Sequence, residues 1–354
     1  MEITRLESNW WSKVKWFWER VWDFKRKSYP LSSIGAKLIG LSALGSPLST
    51  YCLSILFPPE YQILGVEFSK NMMTWMTFIL LFIPMFVGTL MVFAELKSFA
   101  RNTARVLITG LPGASTNFPT GILSKSEQRL AREVIVLSIQ EDNIEKQITR
   151  YNAEVCVDLF GRFVLHNHCE KLYIGGLARI PFLVAYGVFL RNVSNIVYFD
   201  KIHRDTNWRL LNDEDLNIQL NNEKFIAQPN ESGDIGIALS FSTPILKEQL
   251  PSSLQNVTSV ITPTSEADRN LILNQENLQR TSASLAEMID VLSRNPDVKR
   301  IHLFLSIQSS LAIEIGRKFQ EGIHKPWVIH NFDGKSGQYE WGIELSNKGV
   351  KLTK

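Results

Sequence analysis

The sequence contains few cysteines, has little net charge and lacks the common disulfide and metal patterns. Its three cysteines, Cys52, Cys156 and Cys169, are an odd and scattered set, so they predict neither a disulfide framework nor a CxxC pair. The formal net charge is +3 over 354 residues, which is too small to indicate binding to a nucleic-acid polymer. These absences exclude a disulfide-stapled scaffold and a strongly basic protein that binds DNA or RNA.

Signatures of catalysis and metal binding are also missing from the sequence. The segment His166–Cys169 contains ligand-type side chains, but no second cluster completes a tetrahedral zinc site. His203, His324 and His330 have no recognisable serine or cysteine partner. The sequence therefore predicts no catalytic residue, no metal site and no cofactor.

Two long stretches near the amino terminus lack charged residues. Leu38–Phe57 contains twenty residues without a charge, and Asn71–Ala94 contains twenty-four. Because a membrane-spanning helix needs about 20 mostly apolar residues, both stretches are long enough. A signal peptide is the alternative for the first stretch, but it begins late and no small-residue cleavage site leads into a polar domain. We therefore predict a two-helix transmembrane hairpin over residues 36–99.

Basic residues predict the orientation of this hairpin. Residues 1–37 contain eight lysines and arginines, whereas the connecting segment Pro58–Lys70 contains Lys70 alone. Lys97 and Arg101 follow the second stretch. The positive-inside rule then places both termini in the cytoplasm and the short loop outside, so we expect a multi-pass protein with the lipid bilayer as a partner.

The first 35 residues are rich in tryptophan. Five of the nine tryptophans lie within Trp10–Trp22, where aromatic and aliphatic residues recur at helical spacing. A short helix of this kind, with basic residues on its polar face, is typical of the membrane interface. Residues 1–35 are therefore predicted to be an amphipathic interfacial segment. The alternative is a helix packed on its own protein or on a neighbouring subunit.

A strip of small residues runs along the first uncharged stretch. Ser42, Ser46 and Ser49 are spaced so that they share one helix face. Helices in lipid associate through small residues and hydroxyl groups. The strip is therefore predicted to be a seam, either within the hairpin or between subunits around a hydrated pore.

The rest of the chain contains one pattern twice. Lys171–Arg191 and Arg300–Gln320 align without a gap, and each reads as a basic residue, an apolar strand, a loop and a helix. The two helices carry a glycine at the same place, Gly187 and Gly316. Each repeat continues into another apolar strand that ends in Phe-Asp. A strand–helix–strand unit implies parallel pairing, so the repeat predicts two Rossmann-like α/β halves with parallel sheets.

The boundaries of these halves follow from turns and buried strands. Residues 100–125 contain turn signals and are predicted to be a connector, which leaves residues 126–354 as the ligand-binding domain. Glu133–Ile139 and Ile235–Phe241 are apolar nearly throughout, so they are predicted to be the matching first strands of the halves. The polar segment Asn207–Ser232 is the natural linker between halves that span about 126–206 and 233–354.

The loops after the repeated strands form the predicted ligand site, because ligands of open parallel sheets bind at the carboxyl ends of the strands. The first loop has glycines that let a ligand approach the backbone, and Pro181 begins a helix whose amides favour an anion. Arg179 adds a bidentate phosphate donor, and the second loop offers hydroxyl and amide donors. The alternative is a pair of ordinary turns with capping serines. The predicted ligand-binding residues are Gly175, Gly176, Arg179, Pro181, Lys201, Arg204, Ser306, Gln308, Ser309, Ser310, Lys335 and Tyr339.

The carboxyl-terminal stretch resembles a known family. Ile301–Leu345 reads as an apolar strand, a small-residue loop, a helix with glycine followed by arginine, a strand ending near aspartate, then a tyrosine and a last strand. This order resembles the end of the SAVED domain, and the resemblance extends over roughly Ser126–Lys354. It implies a fusion of two CARF-like Rossmann halves. With two transmembrane helices in front, the chain resembles the TM-SAVED effectors of CBASS anti-phage systems.

The resemblance also implies a function and a set of partners. A cyclic oligonucleotide, a tri- or tetranucleotide made by a partner nucleotidyltransferase, would bind between the halves and make the domains self-associate. The hairpins would then disrupt the bacterial inner membrane. One alternative is a membrane-anchored Rossmann-type enzyme, such as a ring nuclease or hydrolase. The absence of a paired acid–base or metal motif favours a protein that is not an enzyme. Another alternative is a passive sensor that recruits a second protein.

Overall fold

The computed structural model describes residues 33–40, 42, 82–95, 103–111, 114–123, 128, 134–139, 143–154, 171–202, 207–212, 217–221 and 225–353. The chain divides into two compact units, Met1–Ala100 and Arg101–Lys354. Most of the predicted interfacial segment, together with Ser46, Ser49, Arg204 and the His166–Cys169 cluster, lies outside the described residues.

The predicted transmembrane hairpin is wrong. Within the described residues of the first unit, helical structure covers 33–40 and 82–95, and nowhere in the described chain is a helix both long and apolar enough to cross a membrane. The predicted location in the inner membrane is contradicted by the same finding. Ser42, assigned to the seam, donates its hydroxyl hydrogen bond to the Leu38 carbonyl of its own helix at 2.8 Å.

The first half of the second unit is a five-stranded sheet. The elements are β1 (Thr103–Thr109), β2 (Val134–Ser138), α1 (Ile144–Glu154), β3 (Lys171–Leu177), α2 (Ile180–Phe189), β4 (Ile196–Lys201) and β5 (Trp208–Leu210). A short 3-10 helix, Thr120–Ile122, lies between β1 and β2. The strand order is β2-β1-β3-β4-β5, and all neighbours are parallel except β4 and β5.

The second half is a seven-stranded sheet with two α-helices. Its elements are β6 (Leu220–Asn221), β7 (Asp234–Ser240), a 3-10 helix (Lys247–Gln249), β8 (Thr258–Pro263), α3 (Gln275–Arg294), β9 (Arg300–Ser306), α4 (Ser309–Lys318), β10 (Trp327–Asp333), β11 (Gln338–Ser346) and β12 (Gly349–Thr353). The strand order is β12-β11-β10-β9-β7-β8-β6. Strands β8, β7, β9 and β10 are parallel, whereas β6, β11 and β12 pair antiparallel. The predicted all-parallel sheets are therefore mixed sheets.

The repeat seen in the sequence is present in the fold. Strand β9 and helix α4 each begin 129 residues after β3 and α2, and the strand order β8-β7-β9-β10 repeats β2-β1-β3-β4. The counterpart of β7 is β1, which lies in the segment predicted to be a connector. Glu133–Ile139 instead contains β2, which lies at the edge of the sheet.

Helices α2 and α4 cross at the matched glycines. A Cβ atom on Gly187 would lie 2.0 Å from the Ile313 carbonyl oxygen, and one on Gly316 would lie 1.9 Å from the Val184 carbonyl oxygen. Only glycine permits so close a crossing of two backbones. Helix α2 contacts β10 and β11, and α4 contacts β3 and β4, so each helix packs against the sheet of the other half. This arrangement brings the carboxyl ends of the central strands of both halves together.

Candidate functional site

A cavity of about 740 Å³ lies at the carboxyl ends of the central strands. The first half contributes the end of β3, the start of α2 and the end of β4. The second half contributes the segment after β7, the end of β9 and the start of α4. The position agrees with the general location of ligand sites in open α/β sheets. Its lining residues are Leu177, Ile180, Asp200, Lys201, Ile202, Ser242, Thr243, Pro244, Ile245, Gln249, Arg269, Leu305, Ser306, Ile307, Gln308, Ser309, Phe332 and Tyr339.

Five of the predicted ligand-binding residues line this cavity: Lys201, Ser306, Gln308, Ser309 and Tyr339. The Lys201 side chain is exposed, and it makes no hydrogen bond or ion pair with any residue that the structure describes. Ser309 is the first residue of α4, and its hydroxyl is likewise unbonded within the described chain. Lys201 and Ser309 are therefore open to a ligand.

Ser306 and Gln308 form hydrogen bonds with other residues near the cavity. The Ser306 hydroxyl accepts from the Thr243 amide at 3.0 Å and donates to the Thr243 hydroxyl at 3.1 Å. The Gln308 side chain accepts from the Ile272 amide at 2.5 Å and donates to the Ile272 carbonyl at 3.0 Å. Their polar groups are already satisfied, so Ser306 and Gln308 shape the site through the segments that they fix.

Gly175 and Gly176 lie within β3 and are buried, because the strand continues through Leu177 and the expected loop begins later. A Cβ atom on Gly175 would lie 2.2 Å from the Phe199 carbonyl oxygen, and one on Gly176 would lie 2.6 Å from that of Ile108. The glycines therefore permit the close approach of β3 to its neighbours. A pair of glycines ordinarily indicates a turn, which is why the sequence suggested a loop here.

Arg179, Pro181 and Lys335 are not among the residues that line the cavity. Arg179 precedes the first turn of α2, and its guanidinium lies 5.8 Å from the centre of the Trp341 ring. Pro181 is buried within that first turn. Lys335 is exposed in the turn after β10, where its amide donates to the Asp333 carboxylate at 2.9 Å.

Asp200 is a cavity residue that the sequence analysis did not assign to the site. Its side chain, at the end of β4, accepts hydrogen bonds from the Ser310 amide at 3.0 Å and from the Ser310 hydroxyl. Ser310, a predicted ligand residue, is thus fully buried and committed to Asp200. Burial raises the pKa of Asp200 to about 6, although the Ser310 hydrogen bonds oppose the rise. The repeated Phe-Asp strand ending could have drawn attention to Asp200. Its contact with Ser310 of α4 could not be read from the sequence, because the two residues are 110 positions apart.

Aromatic side chains form another part of the wall. Phe332 is 43% exposed, and its ring centre lies 5.3 Å from that of Tyr339. Tyr339 is 5% exposed, and its ring also packs edge-on against Phe304 at 5.1 Å. Burial raises the pKa of the Tyr339 phenol, which therefore stays protonated at neutral pH. Its hydroxyl makes no hydrogen bond within the part of the chain that the structure describes.

The three histidines that the structure describes, His302, His324 and His330, are not among the residues that line this cavity. His302 Nδ1 and His330 Nε2 are 2.9 Å apart on neighbouring strands, and burial followed by repulsion from His302 lowers the pKa of His330 to about 3. His324 contacts Asp290 at 2.9 Å. No group of three or more His, Cys, Asp or Glu residues in the described ranges is placed to hold a metal ion.

Comparisons with known proteins found a matching family model and similar solved structures. The family model described as "SMODS-associated and fused to various effectors sensor domain", SAVED, matches residues 159–345. The structure is similar to that of the Acinetobacter baumannii Cap4 SAVED/CARF-domain containing receptor with the cyclic trinucleotide 2'3'3'-cAAA, with a TM-score of 0.43 and 13% identity, covering 90% of this chain and 77% of that chain. For the Moraxella osloensis Cap4 SAVED/CARF-domain containing receptor the TM-score is 0.39 and the identity 11%, covering 98% of this chain and 84% of that chain. No curated protein matches the sequence.

Proposed function

The chain belongs to the SAVED family of sensor domains, whose family model matches more than half of its length, and from this premise we propose that it binds a cyclic oligonucleotide in the cavity between its halves. One observation carries the proposal: both halves contribute strand ends and helix starts to the same cavity of about 740 Å³. That volume lies in the range typical of small-molecule sites.

The chemistry of the lining suits a nucleotide ring. Lys201 is an unpaired cation within the described chain, and Arg269 is a further cation in the lining. Both suit phosphodiester groups, which favour charge-assisted hydrogen bonds. Phe332 and Tyr339 offer ring surfaces on which a base can stack, as aromatic side chains do in single-strand binding proteins. The proposed ligand is a cyclic tri- or tetranucleotide supplied by a partner nucleotidyltransferase.

We propose that the protein is a sensor and not an enzyme. Asp200 is the one acidic residue among the described residues that line the cavity, so the lining offers no pair of carboxylates for general acid–base catalysis. Ligand binding is proposed to promote association between copies of the domain and thereby to produce the signal.

Titration calorimetry on the full chain tests the binding step. Cyclic di-, tri- and tetranucleotides, each with its linear counterpart, are titrated into the protein, and a cyclic tri- or tetranucleotide is expected to bind most tightly. Lys201→Ala should weaken that binding by about 1.5–3 kcal/mol, the usual contribution of a charge-assisted hydrogen bond. Lys335→Ala, which removes an exposed lysine outside the cavity, is the matched control and should bind as the parent does.

Two further measurements separate the alternatives. Chromatography of the ligand after incubation should recover the intact ring, whereas a linear or shortened product would show an enzyme. Sedimentation velocity should show larger species only when the ligand is present. Absence of binding by every ring in the panel would overturn the proposed function.

A further inference from the structure

Helices α2 and α4 both begin at the cavity, but only the amino end of α4 is capped by a side chain. Ile180 of α2 and Ser309 of α4 both line it. The start of α2 has no side-chain cap, because the preceding Arg179 makes no capping hydrogen bond. The start of α4 is capped by Asp200, which reaches across from the other half. The exposed amides of a helix start attract anions, so at α4 the protein already supplies the anion.

The Asp200 carboxylate changes what can bind beside α4. It is 6% exposed and lines the cavity. Each oxygen accepts one hydrogen bond from Ser310, and each retains a lone pair for a ligand. A phosphate placed there would meet a like charge in a poorly screened environment. An N–H donor would instead find a negatively charged acceptor.

Nucleobases differ in the donors that they can offer. Adenine, cytosine and guanine each carry an exocyclic amino group, whereas uracil has none, and its ring N3–H donor lies between two carbonyl oxygens. Phe332 and Tyr339 supply an aromatic surface in the same cavity, and the Tyr339 hydroxyl makes no hydrogen bond within the described chain. A base can therefore stack and form hydrogen bonds in this cavity.

We propose that Asp200 is a specificity-determining residue, which selects rings with an amino-bearing base and excludes phosphate from the start of α4. This inference rests on the proposed function, and it assigns the phosphates to the Lys201 side of the cavity. The preference for an amino-bearing base and the exclusion of phosphate both follow from the Asp200 carboxylate, which Ser310 holds in place and which lines the cavity.

The test compares four cyclic trinucleotides that contain only A, C, G or U, with full-length protein and calorimetry. At pH 7.5 we expect the tightest amino-bearing ring to bind about 10- to 100-fold better than the uridine ring, the range of one hydrogen bond to a charged group. Asp200→Asn replaces one acceptor oxygen by an amino donor at nearly constant shape, so it should remove most of this preference and improve binding of the uridine ring.

Ser310→Ala separates specificity from a structural effect. It removes the hydroxyl bond to Asp200 but keeps the carboxylate, so it should retain the preference even if all affinities fall. If Asp200→Asn weakens every ring by the same factor, or if the uridine ring binds the parent best, the inference is overturned while the proposed function stands. If no ring binds, the proposed function fails first.

Discussion

The two halves share a plan, yet their central helices differ in polarity. In α2, nine of the ten residues are buried and none is charged. In α4, Glu314 and Arg317 occupy the positions that Ala185 and Val188 hold in α2. The repeat therefore conserves the crossing geometry while only one helix carries polar groups into the interface. The two halves therefore share a backbone crossing and differ in the side chains that surround it.

The polar groups of α4 tie it to the first half. Arg317 donates to the Leu190 carbonyl at 3.2 Å and to the Val193 carbonyl at 2.7 Å, which lie beyond the carboxyl end of α2. Glu314 is 2% exposed and accepts from Arg317 at 2.7 Å and from the Tyr198 hydroxyl at 2.5 Å. In return, Asp200 of the first half caps the start of α4. Each half thus satisfies backbone groups of the other.

The largest expected effect comes from removing the contacts that Arg317 makes with the first half. Arg317→Val should lower the free energy of unfolding by about 3–5 kcal/mol, because Glu314 would be left buried with Lys318 as its cationic neighbour, at 3.2 Å. Urea denaturation of the full chain measures the loss.

The double variant Glu314→Ala/Arg317→Val sharpens the comparison, since it gives α4 the side chains of α2. It removes the buried charge together with its partner, so its loss should be smaller than that of Arg317→Val alone. An additive or larger loss would show that the ion pair is not what the single variant disrupts.

The helix crossing is the next feature to break. Gly187→Ala and Gly316→Ala should each cost about 3 kcal/mol, the upper end of the usual range for overpacking, because the added carbon would overlap a carbonyl of the opposite helix. Gly334→Ala is the control, since its Cβ would meet nothing within 4 Å. Thermal and urea unfolding should show similar losses for the two matched glycines. A tolerated substitution at either would contradict the close crossing.

Asp200, which joins the two halves, should make the free energy of unfolding depend on pH. Its folded pKa of about 6 exceeds the ordinary value of 3.8, so its ionisation opposes folding above pH 6. As the pH falls from 6 to 3.8, Asp200 becomes protonated in the folded state. The free energy of unfolding then rises by at most about 3 kcal/mol. Relative to Asp200→Asn, the parent should therefore gain stability between pH 7 and pH 4.

Ser310→Ala is the companion variant for this experiment. The Ser310 bonds lower the pKa of Asp200, so loss of the hydroxyl should raise that pKa further and enlarge the total gain in stability. Urea unfolding at several pH values measures all three proteins. Parallel stability curves for the parent and Asp200→Asn would refute the assignment.

The sequence predicted the repeat well because its signals are local. The basic residues that open β3 and β9, and the matched glycines, lie within single strand–helix units. Strand β1 was missed because Arg105 interrupts its apolar run. In the structure Arg105 is buried and lies 5.8 Å from the centre of the Phe118 ring, and desolvation lowers its pKa. Such burial depends on tertiary contacts that a single strand does not reveal.

The candidate site was harder to predict than the repeat. Lys201 and Ser309 were predicted from their places near a strand end and at a helix start, and Tyr339 was named with the family resemblance; all three line the cavity. Asp200 was missed because its role depends on Ser310, which is distant in sequence. The uncharged stretches before residue 95 were predicted to cross a membrane from length and composition alone, and the described helices do not support that prediction.

The reciprocal capping has a consequence for synthesis of the chain. Helix α2 leaves the ribosome 129 residues before α4, the element against which its glycine face packs. At about 5–20 residues per second, that interval lasts about 6–26 s. Throughout it, an entirely apolar helix has no partner for its crossing face, and the carbonyls of Leu190 and Val193 lack the Arg317 guanidinium. The crossing face of α2 is therefore open to intermolecular contact until α4 has been synthesised.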